Sequence, residues 1–220
     1  MKLRYCLLLL AVCLTASADQ KDWVPLTLKL PSPVFSGTPK EAPAGVIVES
    51  RTAVPPVIMV PPNARNIAPK AKITSSDKNA TSALLAKITD GDKEADEDSI
   101  VQLRKGLQWI QFDFGRPVDI YAIALWHAHD NAKIYRSVIV QAADDKDFTE
   151  NVRTLFNNDT DNSSGLGAGT DRQYFETFQG KEINAKGTKA RYVRLYSHGS
   201  TDSSMNEYTE VEIYGVLATP

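Results

Sequence analysis

The sequence predicts an all-β sandwich. Short runs of residues alternate between apolar and polar side chains, they are rich in Ile, Val, Tyr and Leu, and turn residues separate them. A sustained helical period is missing from the pattern. Several short strands with turns between them and almost no helix are typical of sandwiches.

The clearest strand closes the chain over residues 208–215. It alternates, with Val211 on one face and Glu210 and Glu212 on the other. Two interpretations stay open. The two acids are solvated on an exposed face, or Glu210 joins the distant acidic turn at 89–92 around a hard cation such as calcium.

The other elements are placed by the same pattern. Strands are predicted over 71–75, 109–115, 119–126, 137–142 and 190–196, with a helical turn over 82–87. Gly115, Arg116 and Pro117 are expected to separate the second strand of this series from the third, because proline donates no ladder hydrogen bond.

The N-terminus has the pattern of a secretory signal peptide over residues 1–18. Basic residues precede an apolar run that is too short to span a membrane, and small residues offer a cleavage site before Asp19. We therefore expect a secreted, periplasmic or cell-surface protein. Both cysteines, Cys6 and Cys13, lie in this peptide, so the mature chain needs a sizeable core, a bound metal or both instead of disulfides.

Charge and hydropathy exclude two classes of partner. The formal net charge is −2, and it becomes −4 when Lys2 and Arg4 leave with the signal peptide. A mildly acidic chain without a basic stripe is a poor nucleic-acid binder. No second long apolar run follows the first, so no transmembrane segment is expected.

Residues 19–66 are predicted to form an extended, proline-rich arm. Ten of the 12 prolines lie between Pro25 and Pro69, which excludes a helix and a central strand. The arm also carries many Leu, Val and Ile residues, too many for a bare solvated linker. It is expected to lie on the surface of its own domain or on a neighbouring protein, with short edge-strand pieces.

Four motifs extend the prediction beyond the fold class. They are ITDGD at 88–92, WIQFDFG at 109–115, RYVRLY at 191–196 and YTEVEIYG at 208–215. In this order and spacing they resemble the discoidin, or coagulation factor 5/8 type C, family, which includes many bacterial carbohydrate-binding modules. The resemblance implies a galactose-binding-like jelly-roll domain over residues 67–217.

The resemblance also implies a structural calcium ion. In that family an Asp-Gly-Asn/Asp turn and a glutamate five residues before the last glycine commonly hold it. The matching residues here are Asp90, Asp92 and Glu210, with main-chain carbonyl groups completing the ligand shell. The turn departs from the family pattern over 93–98, where KEADED replaces the usual threonine and tryptophan, so the remaining ligands are open.

A ligand surface is predicted where strands end in polar loops. Sandwich loops gather at the ends of the sheets, and strand bodies are committed to the core. The candidate contacts are His127, His129, Arg136, Asn158, Asp159, His198 and Asn206. The indole of Trp126 suits the apolar face of a pyranose, while His127 and His129 suit its hydroxyl groups or, as an alternative, zinc.

The loop at 157–171 is the other unusual stretch. It is long, polar and rich in glycine, and such loops inside compact domains are often functional. A ligand contact and a mobile surface loop both stay open for it.

An enzyme is not expected. The mature chain has no cysteine and no Gly-x-Ser-x-Gly elbow, and its three histidines have no evident serine and acid around them. The sequence instead favours a secreted binding module for carbohydrate or glycoconjugate. The alternative is a protein-interaction or adhesion module, which the apolar arm favours.

Overall fold

The computed structural model describes residues 22–34, 42, 44, 46–50, 54 and 56–217. The predicted signal peptide lies outside the described residues, as does part of the arm. Within the described residues, no helix combines the length and the hydropathy needed to cross a membrane.

Strands dominate the described chain. They are β1 Val24–Pro25, β2 Met59–Val60, β3 Arg65–Asn66, β4 Lys72–Ser75, β5 Val101–Leu103, β6 Gln108–His127, β7 Ile139–Ala143, β8 Arg153–Asn157, β9 Lys181–Ser197 and β10 Asn206–Val216. The helix α1 Ser82–Ala86 begins at Thr81, whose side chain accepts a hydrogen bond from the Leu84 amide. Short 3-10 turns lie at Ala68–Lys70 and Lys87–Thr89.

The strands form an all-β jelly-roll sandwich, as predicted. Eight of them are connected in the order β3-β10-β6-β9-β7-β8, with β4 on β6 and β5 on β10, and every pairing is antiparallel. β1 and β2 form a separate two-stranded sheet. The strand β3 near the start of the domain pairs with the end of β10, which brings the two ends of the domain together.

Residues 109–115 and 119–126 are one strand, and the prediction of two separate strands is wrong. β6 runs through Gly115, Arg116 and Pro117. A β-bulge accommodates these residues, since the register of β6 with β9 shifts between Asp113 and Val118. The residues between these two have no partner in the β9 ladder, so the missing proline donor costs nothing there. Beyond the bulge, β6 has β10 instead of β4 as its second neighbour.

The core lies between the layers and is built from alternate residues of the long strands. Its largest contributors include Ile110, Phe112, Ile123, Leu125, Val193, Leu195, Val211 and Ile213. Such apolar burial is the main source of stability in a chain without disulfides, at roughly 25 cal/mol per Å² of apolar surface.

The proline-rich arm folds back on its own domain. Ile58, Val60 and Ala64 are buried against Ala122 of β6, on the face that points away from the main core. Both faces of β6 are therefore covered between Ala122 and His127, where every residue is buried. Of the two placements open from the sequence, the described part of the arm takes the intramolecular one.

The closing strand β10 does not alternate between core and solvent. A register shift between Tyr208 and Glu210 turns Tyr208 into the same core as Val211. Glu210 and Glu212 lie on the other face and are also buried, at 0% and 8% exposure. The interpretation of Glu210 and Glu212 as solvated surface acids is therefore wrong.

Candidate functional site

Loops 128–138, 158–180 and 198–205 meet at one end of the sandwich, called the loop end below. The segments that follow β6 and β9 arrive side by side, because the His127 ring packs on Tyr208 and the Tyr208 hydroxyl bonds Ser197. Main-chain bonds then join the loops: the Arg136 amide donates to the Gly199 carbonyl, and the His198 amide donates to the Arg136 carbonyl.

A cavity of about 230 Å³ opens at the loop end. Its walls include Ile134 and Arg136 from the first loop, Asp159, Asp161, Ser163 and Gln173 from the second, and Thr201 from the third. The Arg136 side chain is exposed and makes no hydrogen bond or ion pair with any described residue. Asp161 is also exposed, and only one of its carboxylate oxygens accepts an internal bond, from the Ser163 amide. The cavity wall therefore offers both a free donor and a free acceptor.

The polar loop at 157–171 is held by a dense set of hydrogen bonds around Asp159. The Asp159 carboxylate is buried and accepts bonds from the amides of Ser163 and Ser164 and from the hydroxyls of Ser137 and Ser163. Burial acts to raise the pKa of Asp159, but the bonds from Ser164 and Ser163 outweigh it and lower the pKa to about 2. These hydrogen bonds hold the loop in place as part of the cavity wall.

We expect Asp159→Asn to lower the free energy of unfolding by about 2 kcal/mol at neutral pH, since each unit of pKa shift corresponds to about 1.4 kcal/mol. A depressed pKa stabilises the fold above the ordinary pKa, so this contribution should disappear as the pH falls from about 4 to about 2. Urea unfolding of both proteins across that range measures it. The exposed Asp147, outside this loop, gives the control variant Asp147→Asn, and a wild-type advantage that persists unchanged at pH 2 would contradict the prediction.

The structure gathers all seven predicted contact residues at the loop end; five of them are buried, and four of these five lie outside the cavity lining. His127, His129, Asn158 and Asn206 have exposures of 0 or 1%. Of the remaining three, Arg136 and Asp159 line the cavity, whereas His198 is half-buried and lies outside its lining.

The two histidines are occupied by internal partners. His127 Nδ1 lies 2.6 Å from Glu176 Oε1, and its ring stacks on Tyr135 with centroids 4.2 Å apart. His129 Nε2 donates to the Lys93 carbonyl at 2.9 Å. The residues described here include no group of three His, Cys, Asp or Glu side chains placed to hold a metal ion, and the zinc alternative has no support.

The two asparagines join loops together. Asn158 Oδ1 accepts from the Val138 amide at 2.8 Å. The Asn206 amide group donates to the carbonyls of Arg104 and Gly106 and accepts from the Ser197 hydroxyl and the Gly199 amide. We therefore assign the four buried residues outside the lining a supporting role in place of the predicted ligand contacts.

Trp126 is likewise unavailable as a stacking platform. Its ring is fully buried, and its Nε1 donates to the Phe178 carbonyl at 3.0 Å. Conversely, sequence reasoning missed Gln173, Thr201 and Ile134 as wall residues. Asp161 and Ser163 could have been found from the sequence, because they lie in the loop at 157–171, which is unusually long and polar.

The predicted calcium position brings Glu210 against the acidic turn. The Gly91 amide, between Asp90 and Asp92, donates to Glu210 Oε2 at 3.1 Å. Glu210 Oε1 is buried and has no hydrogen-bond partner among the described residues. Burial raises the pKa of Glu210 to about 8. A buried carboxylate oxygen without a donor fits a hard cation.

The neighbouring glutamate already has its cation. Lys93 Nζ lies 2.7 Å from Glu212 Oε1, both side chains are buried, and the ammonium also donates to the Lys29 carbonyl of the arm at 3.0 Å. Asp90 and Asp92 are exposed and, in the described chain, join no group of three acidic side chains at metal-binding spacing. A cation at Glu210 would therefore need main-chain carbonyl ligands, and calcium stays a prediction.

No protein-family model and no curated protein matches the chain. A family 89 glycoside hydrolase from Clostridium perfringens, in complex with 2-acetamido-1,2-dideoxynojirmycin, superposes with a TM-score of 0.50 at 15% identity, over 70% of this chain and 15% of its own. A variant of chitosan-binding module 1, derived from a chitosanase/glucanase of Paenibacillus sp. IK-5, superposes with a TM-score of 0.49 at 18% identity. The match covers 70% of this chain and 100% of the module. CBM32 of AlyQ, in complex with 4,5-unsaturated mannuronic acid, superposes with a TM-score of 0.45 at 20% identity. The match covers 64% of this chain and 92% of the AlyQ module.

The likeness to the family 89 glycoside hydrolase, whose TM-score reaches 0.50, establishes the fold alone at 15% identity. The predicted resemblance to the discoidin family is confirmed at that level: the domain has the galactose-binding-like jelly roll. The chain spans about 15% of the length of the glycoside hydrolase.

Proposed function

We propose that the chain is a secreted, non-catalytic carbohydrate-binding module whose ligand enters the cavity at the loop end. The observation that carries the proposal is the composition of the wall. A sugar hydroxyl both donates and accepts hydrogen bonds, and the wall offers the Arg136 guanidinium as a donor, the Asp161 carboxylate as an acceptor, and the Thr201 hydroxyl, which accepts from the Ile134 amide and keeps its hydrogen to donate. Secretion is inferred from the signal-peptide pattern at the N-terminus.

Catalysis is not part of the proposal. The groups that would act as a general base or nucleophile partner, His127 and Glu176, are sealed from solvent and paired with each other. Asp159, the buried acid of the cavity, is committed to four internal hydrogen bonds. What remains on the wall can orient hydroxyl groups but has no activated nucleophile.

Binding at a single site should be weak. The cavity wall includes no aromatic ring among the residues described, so hydrogen bonds carry the affinity, and each neutral bond contributes only about 1 kcal/mol net. A dissociation constant on the order of 0.1–1 mM is expected. Repeated units along a polysaccharide would raise the apparent affinity through multivalency.

We expect Arg136→Ala to weaken polysaccharide binding by about tenfold, since a charged hydrogen bond contributes about 1.5–3 kcal/mol. Asp161→Asn should have a smaller effect, because its amide keeps one acceptor. Electrophoresis through gels that contain galactan, pectin, alginate or chitosan measures retardation of each variant.

The matched control for this test is Arg116→Ala, an exposed arginine in the β6 bulge, away from the cavity. It should leave retardation unchanged. Equal retardation of the Arg136→Ala variant and the unaltered protein, in every gel that retards the latter, would move the site elsewhere.

The proposal includes a structural calcium ion at the acidic turn. Asp90, Asp92 and Glu210 are the candidate side chains, and the buried, unpartnered oxygen of Glu210 supports it. Bound there, calcium would neutralise Glu210 and clip the turn to β10.

A protein-interaction module is the second candidate, and the arm favours it. Seven of the nine exposed large hydrophobic side chains among the described residues belong to the arm: Val24, Leu30, Val34, Ile47, Val54, Val57 and Met59. Exposed apolar surface of this kind often marks a protein interface. Binding to a cell surface that survives enzymatic removal of its glycans, and that ends when the exposed arm residues become serine, would favour this candidate over carbohydrate.

A further inference from the structure

One stretch of the arm, residues 46–50, reaches the loop end and pairs with the cavity wall. Val48 forms a parallel β-bridge with Gln173. The Gln173 amide donates to the Ile47 carbonyl at 3.1 Å, and the Glu49 amide donates to the Gln173 carbonyl at 2.7 Å. Gln173 is itself a wall residue of the cavity.

A salt bridge fastens the same stretch to β9. Lys181 Nζ bonds Glu49 Oε1, with side-chain exposures of 16% and 38%. The ammonium also lies over the rings of Phe156 and Tyr174, about 5 Å from each centroid (5.2 and 5.1 Å). The stretch is therefore held by main-chain bonds on one side and by a partly buried cation on the other.

The residue next to this anchor faces the cavity. Val46 lines it, on the same wall as Gln173. Gln173 in turn holds the polar loop, because its Nε2 donates to the Asn158 carbonyl at 2.7 Å. The position of this wall thus depends on contacts between the arm and the domain.

We infer that the ligand site is composite: residues 46–50 of the arm form one wall of the saccharide cavity, so that docking of the arm and binding of the saccharide are thermodynamically linked. This inference rests on the proposed function. By reciprocity, a ligand that contacts the Val46 wall binds more tightly when the arm is docked, and it holds the arm in place by the same factor. The arm is then part of the binding site. Its proline-rich sequence alone does not predict this role.

A pair of adjacent substitutions tests the inference. Val46→Arg places a long charged side chain at the cavity wall and should weaken retardation by pectin, alginate or chitosan by about tenfold. Ile47→Arg makes the same chemical change one residue further along, on a side chain that is 70% exposed, and should leave retardation unchanged. Glu49→Gln removes the ion pair without adding bulk and should weaken retardation in the same direction as Val46→Arg.

Hydrogen exchange gives a second measurement that leaves the arm unaltered. Polysaccharide at a concentration that half-saturates the unaltered protein should slow exchange of the Glu49 amide, which bonds Gln173, and should slow it much less in the Arg136→Ala variant. Retardation that Arg136→Ala reduces but Val46→Arg and Glu49→Gln leave intact, with unchanged Glu49 exchange, would overturn the composite site and leave the proposed function standing. A protein that none of these polysaccharides retards would overturn both.

Discussion

Replacing Glu176 by alanine is expected to lower the free energy of unfolding by about 3 kcal/mol, the upper end of the cost of leaving a buried hydrogen-bonding group without its partner. Glu176 and His127 are both fully buried and lie 2.6 Å apart. Without the carboxylate, His127 keeps no partner for Nδ1, and its ring remains enclosed by Tyr135 and Tyr208. Leaving a buried polar group unpaired is far more costly than removing a hydrogen bond at the surface, where water replaces the partner.

Urea unfolding followed by circular dichroism measures the effect. The exposed Glu150 supplies the control, and Glu150→Ala should change stability by less than about 0.5 kcal/mol. His127→Ala combined with Glu176→Ala should cost less than the sum of the single changes, since the second removes a group already orphaned. Additive effects, or a decrease below about 1 kcal/mol for Glu176→Ala, would show that the pair does not act as a unit.

The same variant should also disturb ligand binding. The Glu176 amide donates to the Lys133 carbonyl at 2.8 Å, which ties the second loop to the first directly below Ile134. Alanine keeps this main-chain bond but removes the carboxylate that joins the second loop to His127 at the end of β6, where the first loop begins. Glu176→Ala is therefore expected to reduce both stability and retardation, whereas Arg136→Ala reduces retardation alone. Comparing the two separates residues that support the cavity from residues that touch its ligand.

The fold could be predicted from the sequence because its strands carry strong local signals. Alternation and β-branched residues locate most of β6 and β10 and the second half of β9, and the order of four motifs selects the jelly roll. The continuous strand through Gly115 and Pro117 could not be foreseen, since a bulge cancels the penalty that proline normally imposes. β8 gives no clear signal, because Arg153–Asn157 is short and carries two polar ends.

The position of the cavity was predictable, and most of the residues that line it were not. Strand ends that lead into polar loops placed the cavity at the loop end. The partner of His127 is Glu176, which lies 49 residues away in the sequence, so no local sequence pattern predicts the contact. Because both faces of β6 are covered near His127, alternation cannot tell an inward side chain from an outward one. The contribution of Val46 likewise depends on how the arm folds back.

The face of β10 beside the acidic turn carries two buried acids, of which one has a bonded cation. Two glutamates of β10, Glu210 and Glu212, are buried on the same face, and among the described residues Lys93 is bonded to one of them. Glu212 is neutralised by that ammonium. Glu210 receives only the Gly91 amide, and one of its oxygens has no donor in the described chain. A second positive charge at Glu210 would complete the arrangement.

Calcium is therefore expected to raise the free energy of unfolding by about 2.7 kcal/mol at a hundredfold excess over its dissociation constant, and a chelator should remove this gain. Glu210→Gln should abolish the response to calcium, because the uncharged amide has no negative charge to balance the charge of the ion. Glu212→Gln is the matched control: it breaks the pair with Lys93 and lowers stability, yet the calcium response should persist. Thermal melts in chelator, in calcium and in magnesium measure all three proteins. Melting curves of the unaltered protein that coincide in chelator and in excess calcium would remove the metal from this turn and leave Glu210 to be satisfied by a proton.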